Sequence, residues 1–315
     1  MRTRAIGSLT VPVVGLGCNN FGGRLDEAAT KGVVDAALEV GATFLDTADI
    51  YGGTRSETFL GRVLKGRRDR VVLATKFGHP SRDDELAGAR PDTVRAALEA
   101  SLRRLGVDHV DLYQLHRPDP DVPIAETLGA LGEEVKAGRV REIGCSGFTA
   151  GQLEEAEAAA RDGGLPRFVS VQNEYSLLRR QDESDVLPTC ERLGIAYLPY
   201  FPLLSGILTG KYRRDEPLPQ GARVTGSDSW RELLTGELYD LLERLTDFAE
   251  ARGHELLDLA FAYLLARPPV ASVIAGATRP EQVRRNVRAG SWELSAAELA
   301  DVTAILDQAG AVVSR

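Results

Sequence analysis

The chain has 315 residues, of which 43% are hydrophobic and 27% charged, and a formal net charge of −8; this is the profile of a globular protein with room for a large core, and it argues against a basic surface built for nucleic acid. No apolar run nears the ~20 residues that cross a bilayer, and the first ten residues lack the apolar stretch of a signal peptide, so a soluble, cytoplasmic protein with no membrane partner is expected. Cys18, Cys145 and Cys190 are far apart and the four histidines are scattered, which predicts neither a disulfide framework nor a metal site.

Taken in chain order, residues 2–13 read as a hairpin. Short β-branched runs then alternate with amphipathic stretches of helical length almost to the end. The strands expected are 14–17, 43–46, 71–75, 112–115, 141–145, 168–172, 196–200 and 271–275. In the first helix Asp26 caps the start, Ala29, Val33, Ala36, Ala37 and Val40 share a face, and Gly41 ends it. Thr149-x-x-Gln152, Thr278-x-x-Glu281 and Ser295-x-x-Glu298 read as capping boxes. Two loops exceed the repeat, 78–90 and 202–235, the second rich in Gly, Pro and charge; loops of that length in a compact domain are commonly functional. Eight βα units fit a single (β/α)8 barrel domain over residues 1–315, with an N-terminal hairpin and an extra outer helix.

A barrel of this kind builds its active site at the carboxyl ends of its strands. There the second strand closes with Asp46, followed by Tyr51, the third with Lys76 and the fourth with His116. Each alone has an ordinary explanation as a turn residue, a half-buried ring or a core histidine. Together on adjacent strands, an anion, a cation, a phenol and an imidazole make a proton-transfer site. Lysine is scarce, five of 38 cationic residues, and burying Lys76 unpaired would be costly. A phenol of ordinary pKa near ~10 is a weak acid unless a cation lowers it. Lys76 supplies that cation, Asp46 holds it, and His116 orients a carbonyl oxygen toward Tyr51. Hydride has to come from a cofactor. The later strands close near Ser146, Gln172, Tyr200 and Gly276, an assortment suited to a nucleotide.

These residues sit in longer signatures: Gly41-Ala42-Thr43-Phe44-Leu45-Asp46-Thr47-Ala48 with Tyr51-Gly52, Ala74-Thr75-Lys76, Asp111-Leu112-Tyr113-Gln114-Leu115-His116, Val171-Gln172-Asn173-Glu174-Tyr175, Pro202-Leu203 through Gly210-Lys211-Tyr212, and Gly276-Ala277-Thr278 with Glu281-Gln282. In these the chain resembles the aldo-keto reductases over nearly its whole length. The resemblance implies a (β/α)8 barrel binding NADPH in extended form without a Rossmann fingerprint; Gly15-x-Gly17 lacks the third glycine of that fingerprint and reads as barrel-rim turn residues. It also implies that Asp46, Tyr51, Lys76 and His116 form a catalytic tetrad with Tyr51 as general acid. Ser146 and Gln172 would bind the nicotinamide carboxamide and Tyr200 would stack on its ring. Pro202, Leu203, Gly206, Lys211 and Arg223 would lie over the pyrophosphate, and Thr278, Arg279, Gln282 and Asn286 would face the adenosine 2′-phosphate.

Two positions depart from the family. Ser146-Gly147-Phe148 stands where Ser-Asn-Phe is common, removing one carboxamide contact, and Arg285-Asn286 stands where Glu-Asn is frequent, which bears on the adenine contact. The expected partner is a small carbonyl compound, with Phe21, Tyr51, Phe77, Arg117, Phe201 and Trp230 in segments that could line the mouth. Two other readings are a slow NADPH-holding sensor, like the potassium-channel β subunits that the barrel also resembles, and a metal-dependent barrel hydrolase, for which no ligand cluster exists. NADPH oxidation with an aromatic aldehyde separates enzyme from sensor.

Overall fold

A computed structural model describes residues 1–81, 86–218 and 232–310. β1 (Thr3–Ile6) and β2 (Leu9–Pro12) form the expected antiparallel hairpin. Eight strands follow in one parallel sheet: β3 (Val14–Gly17), β4 (Phe44–Asp46), β5 (Val72–Phe77), β6 (Val110–Leu115), β7 (Val140–Ser146), β8 (Ser170–Glu174), β9 (Ala196–Tyr200) and β10 (Val273–Gly276). Their spatial order is β10-β3-β4-β5-β6-β7-β8-β9. Between β9 and β10 the sheet is joined just upstream of β10, where Tyr197 donates its N–H to the Pro269 carbonyl (2.7 Å) and Ala271 to that of Tyr197 (2.9 Å). The fold is therefore a (β/α)8 barrel.

Helices separate the strands: α1 (Glu27–Val40), α2 (Arg55–Val63), α3 (Pro91–Leu105), α4 (Ile124–Lys136), α5 (Ala150–Gly163), α6 (Val186–Leu193), α7 (Gly236–Glu250), α8 (Leu256–Leu265) and α9 (Pro280–Ala289), with α10 (Ala296–Ala309) last. Beyond one helix per strand, α7 and α10 pack against each other on the outside. Two apolar layers result. Residues on the outer faces of the strands, such as Leu45, Leu73 and Tyr113, pack under the helices. A smaller cluster inside the barrel joins Phe44, Ala74, Leu112, Leu198 and Ile274 to Ile6, Leu9 and Val11, so that the hairpin plugs the amino-terminal end. The opposite end is left open for chemistry.

Local signals explain most boundaries. Asp26 accepts from the Ala29 N–H, and Gly41 ends α1 at φ 81°, a left-handed conformation that glycine adopts without strain. The buried stripe of α1 is Thr30, Val33, Val34, Ala37 and Leu38 with Ala36, rotated from the expected face; Ala29 is exposed and Val40 half-buried. The capping boxes at Thr149 and Ser295 form. That at Thr278 does not: Pro280, fitting the first helical position, starts α9 one residue later, and Thr278 instead donates to the Gln282 side chain. Nor are Gly15 and Gly17 turn residues. Both lie within β3, where a Cβ on Gly15 would come within 3.0 Å of the Ile274 and Phe44 side chains.

Candidate active site

Alternation along β5 turns Lys76 inward and Phe77 outward, where Phe77 stacks on Tyr113 at 4.5 Å in the helix-facing layer. Lys76 is completely buried, and its ammonium donates to Asp46 Oδ2 (2.5 Å), to the Thr47 carbonyl (3.0 Å) and, at 3.5 Å, to the Tyr51 hydroxyl. Asp46, also buried, accepts through Oδ1 from the Gln114 and Gln172 amides at 3.0 and 3.1 Å. A fully desolvated charge pair is tolerable only with its remaining hydrogen-bonding capacity satisfied, and the two glutamines supply that. Gln114 was legible as a member: it lies one alternation step before His116, which follows the last residue of β6, and it stands in register with Lys76.

Burial works hardest against the Lys76 ammonium, but the Asp46 carboxylate and the Tyr51 hydroxyl together outweigh it and hold its pKa above the ordinary value. For Tyr51 burial wins. The phenol lies above its ordinary value, with Lys76 pulling it back down and Asp46 pushing it further up. The cation therefore acts on the tyrosine in the expected direction without bringing it below a free phenol. Tyr51 is thus fully protonated at neutral pH and ready to donate. A developing alkoxide, comparable in basicity to the conjugate base of water at about 15.7, remains a strong enough base to accept that proton.

His116 is 8% exposed, and its ring sits edge-on to Tyr51 at 5.9 Å and to His79 at 4.7 Å. Burial, with the charges of Lys76 and Arg117, pushes its pKa down to about 2. It is a neutral hydrogen-bond donor at working pH, not an acid. The linkage has a definite sign: with a folded pKa far below the ordinary 6.5, the stability due to the neutral ring is complete above about pH 6.5 and is lost as pH falls below it, by about 1.4 kcal/mol per pH unit. Urea midpoints at about pH 7 and about pH 5 should therefore differ less for His116→Gln than for the wild type; an equal acid sensitivity would contradict this account of His116.

The site opens into a cavity of about 430 Å³ that reaches from Asp46, Tyr51 and His116 to the start of α9. Ser146, Gln172 and Tyr200 line its inner part, Pro202, Leu203, Gly206 and Lys211 one wall, and Gly276, Thr278, Gln282 and Asn286 the far end. The expected groups therefore converge, with exceptions. Arg279 is exposed and is not among the residues that line the cavity. Phe21 and Phe77 are wholly buried in the apolar layers, whereas Tyr51, Arg117 and Phe201 do line the mouth. Arg223 and Trp230 lie outside the described residues. Sequence reasoning missed Asn19, Asn20 and Arg24 on the loop after β3, and Arg285 enters the lining although it also pairs with Glu255 at 2.5 Å.

The wall after β9 is backbone-strained. Phe201, Leu204 and Ser205 have φ of 52°, 44° and 55°, next to Gly206 at 95°; each non-glycine residue there costs on the order of 1 kcal/mol. The turn sets the Lys211 ammonium against bare Gly206, 3.0 Å from where a Cβ would stand. Lys211 makes no ion pair among the described residues, only a contact of its ammonium with the Tyr212 ring at 5.1 Å. An unpaired ammonium, an aromatic ring and a row of amides and hydroxyls along one groove fit a phosphorylated dinucleotide by their donor chemistry. Among the described residues, no group of three or more His, Cys, Asp or Glu side chains could hold a metal, and no helix is long and apolar enough to cross a membrane. All three cysteines are free and buried.

The profile of the aldo/keto reductase family matches residues 13–307, and the chain belongs to that family and, with it, to the oxidoreductases. "Aldo-keto reductase yakc [NADP(+)]" of Schizosaccharomyces pombe is 32% identical over 99% of this chain and 94% of its own length. "Protein tas" of Escherichia coli is 33% identical over 95% of each. Among solved structures, the glycerol dehydrogenase AKR11B4 from Gluconobacter oxydans superposes with a TM-score of 0.85 at 28% identity, covering 98% of this chain and 96% of that one.

Proposed function

We propose that the protein is an NADPH-dependent carbonyl reductase that converts an aldehyde or ketone to the alcohol, on one catalytic domain spanning the chain and in the cytoplasm. The observation that carries this reading is the enclosed Asp46–Lys76–Tyr51 relay opening, beside a neutral His116, onto the cation-lined cavity. NADPH, when bound, supplies the hydride. Tyr51 gives its proton to the substrate oxygen, His116 donates a hydrogen bond that orients that oxygen, Lys76 stabilises the tyrosinate left behind, and Asp46 keeps Lys76 charged and in place. Ser146 and Gln172 would hold the carboxamide, although Gln172 also donates to Asp46, so one side chain would tie the nicotinamide site to the relay. Tyr200 would stack on the ring, and Lys211 would face the pyrophosphate.

The relative from S. pombe carries NADP(+) in its name, and Thr278, Gln282 and Asn286 line the cavity beside α9, whose amino-terminal end, with the adjacent Arg279, would favour a 2′-phosphate. Fluorescence titration should show NADPH binding at least about tenfold more tightly than NADH; equal affinities would count against the assignment. The function itself is tested by NADPH oxidation with benzaldehyde. Multiple turnovers are expected, and tight NADPH binding without them would make the protein a sensor.

A further inference from the structure

Arg117 follows His116 directly at the end of β6 and lines the cavity, half-buried. Its side chain crosses to the end of β7 and lies flat over Gly147: a Cβ there would stand 2.5 Å from Arg117 Nη1, 3.2 Å from Cδ and 3.5 Å from Cζ. Gly147 is fixed in this position. Its φ is 72°, and its N–H is held by the Gln172 carbonyl at 3.1 Å and by Asn173 Oδ1 at 2.8 Å. The missing side chain at 147 is thus the space the guanidinium occupies.

Among the described residues Arg117 makes neither a hydrogen bond nor an ion pair, whereas most arginines of this chain are paired. Glu174, a carboxylate that feels its charge, makes its ion pair with Arg179 at 3.8 Å. Arg117 also pushes His79 and His116 toward the neutral form. Among the described residues the one carboxylate lining the cavity, Asp46, is paired with Lys76. A cation with five N–H donors, half-exposed to the cavity beside the oxygen-orienting histidine and without a protein acceptor among the described residues, has only water to give up when an anion arrives.

We propose that Arg117 is a specificity-determining residue that recognises a carboxylate on the carbonyl substrate, making the preferred substrates aldehyde or keto acids. This rests on the carbonyl-reductase reading above. A planar guanidinium matches a carboxylate edge to edge through two parallel hydrogen bonds, and of the three guanidiniums that line the cavity, Arg24, Arg117 and Arg285, Arg117 is the one that follows His116 directly. Lys211 lies against the loop after β9 and is taken up by the cofactor.

The test compares 2- and 4-carboxybenzaldehyde with their methyl esters, and 4-formylphenyl phosphate as the alternative anion, with NADPH. The wild type is expected to favour one of the acids over its ester by about ten- to a hundredfold in kcat/KM, carried mainly by KM. Arg117→Met should bring that ratio to about one, and Arg117→Lys should leave it intermediate. A wild-type ratio near one, a ratio unchanged in Arg117→Met, or the phosphate preferred over both acids would overturn the proposal. So would an Arg117→Met variant whose loss lies in NADPH affinity, which would make Arg117 a cofactor ligand. Because the wild-type ratio is informative alone, the proposal does not depend on the variant folding. Reduction of the esters without acid preference would overturn this inference and leave the reductase reading standing; no reduction of any aldehyde would overturn both.

Discussion

Lys76→Met is expected to lower carbonyl reduction by about 10²–10⁴-fold, the range associated with lost acid catalysis. Methionine keeps much of the volume of the stem in a site with no exposed surface, so packing is nearly preserved while the charge goes. Two effects follow. The phenol of Tyr51, already raised by burial, loses the one neighbour that pulls it down, so any residual rate should have its alkaline limb displaced to higher pH. Asp46 loses its ion-pair partner but keeps the Gln114 and Gln172 amides, and on that account the variant should still fold and bind NADPH. A folded, NADPH-binding variant with near-normal turnover and an unchanged pH profile would mean that the cation is not coupled to the acid.

Tyr51→Phe should be at least as damaging to turnover and milder in every other respect. The hydroxyl is the only group the change removes, and its recorded partner is Lys76 at 3.5 Å. The ring keeps its place edge-on to His116, so NADPH affinity should stay close to that of the wild type. Most carbonyl reduction should disappear, since no other acid stands where the substrate oxygen would lie: His116 is neutral down to about pH 2, and Lys76 is enclosed. Retained turnover in Tyr51→Phe would remove tyrosine from the role of proton donor.

Much of this could be read from the residues because barrel strands end in the site, and a strand's last residue is a chemical statement when it is Asp, Lys or His. The same habit of reading only the closing residue hid Gln114, one alternation step back from His116. Strand ends were less legible than strand existence. β5 runs through Lys76 to Phe77 and β8 through Asn173 to Glu174, because polar residues facing a site interrupt the apolar run without interrupting the hydrogen-bonded ladder. Thr278 misled as a cap because Pro280 can begin a helix one residue later. Gly147, noted only as a missing contact, acquires meaning once Arg117 is seen crossing it, a relation between two strands that no linear pattern contains.

The apolar plug of the barrel has a consequence for how protons travel. Beneath the relay lie Phe44, Ala74, Leu112, Leu198 and Ile274, backed by Ile6, Leu9 and Val11 of the hairpin, and the cavity beside the relay opens at the carboxyl ends of the strands, not through this filling. The relay is a cul-de-sac. A proton given up at Tyr51 has to be replaced from the same mouth through which substrate enters and alcohol leaves, so product departure and recharging of the acid share one doorway and cannot be separated in space.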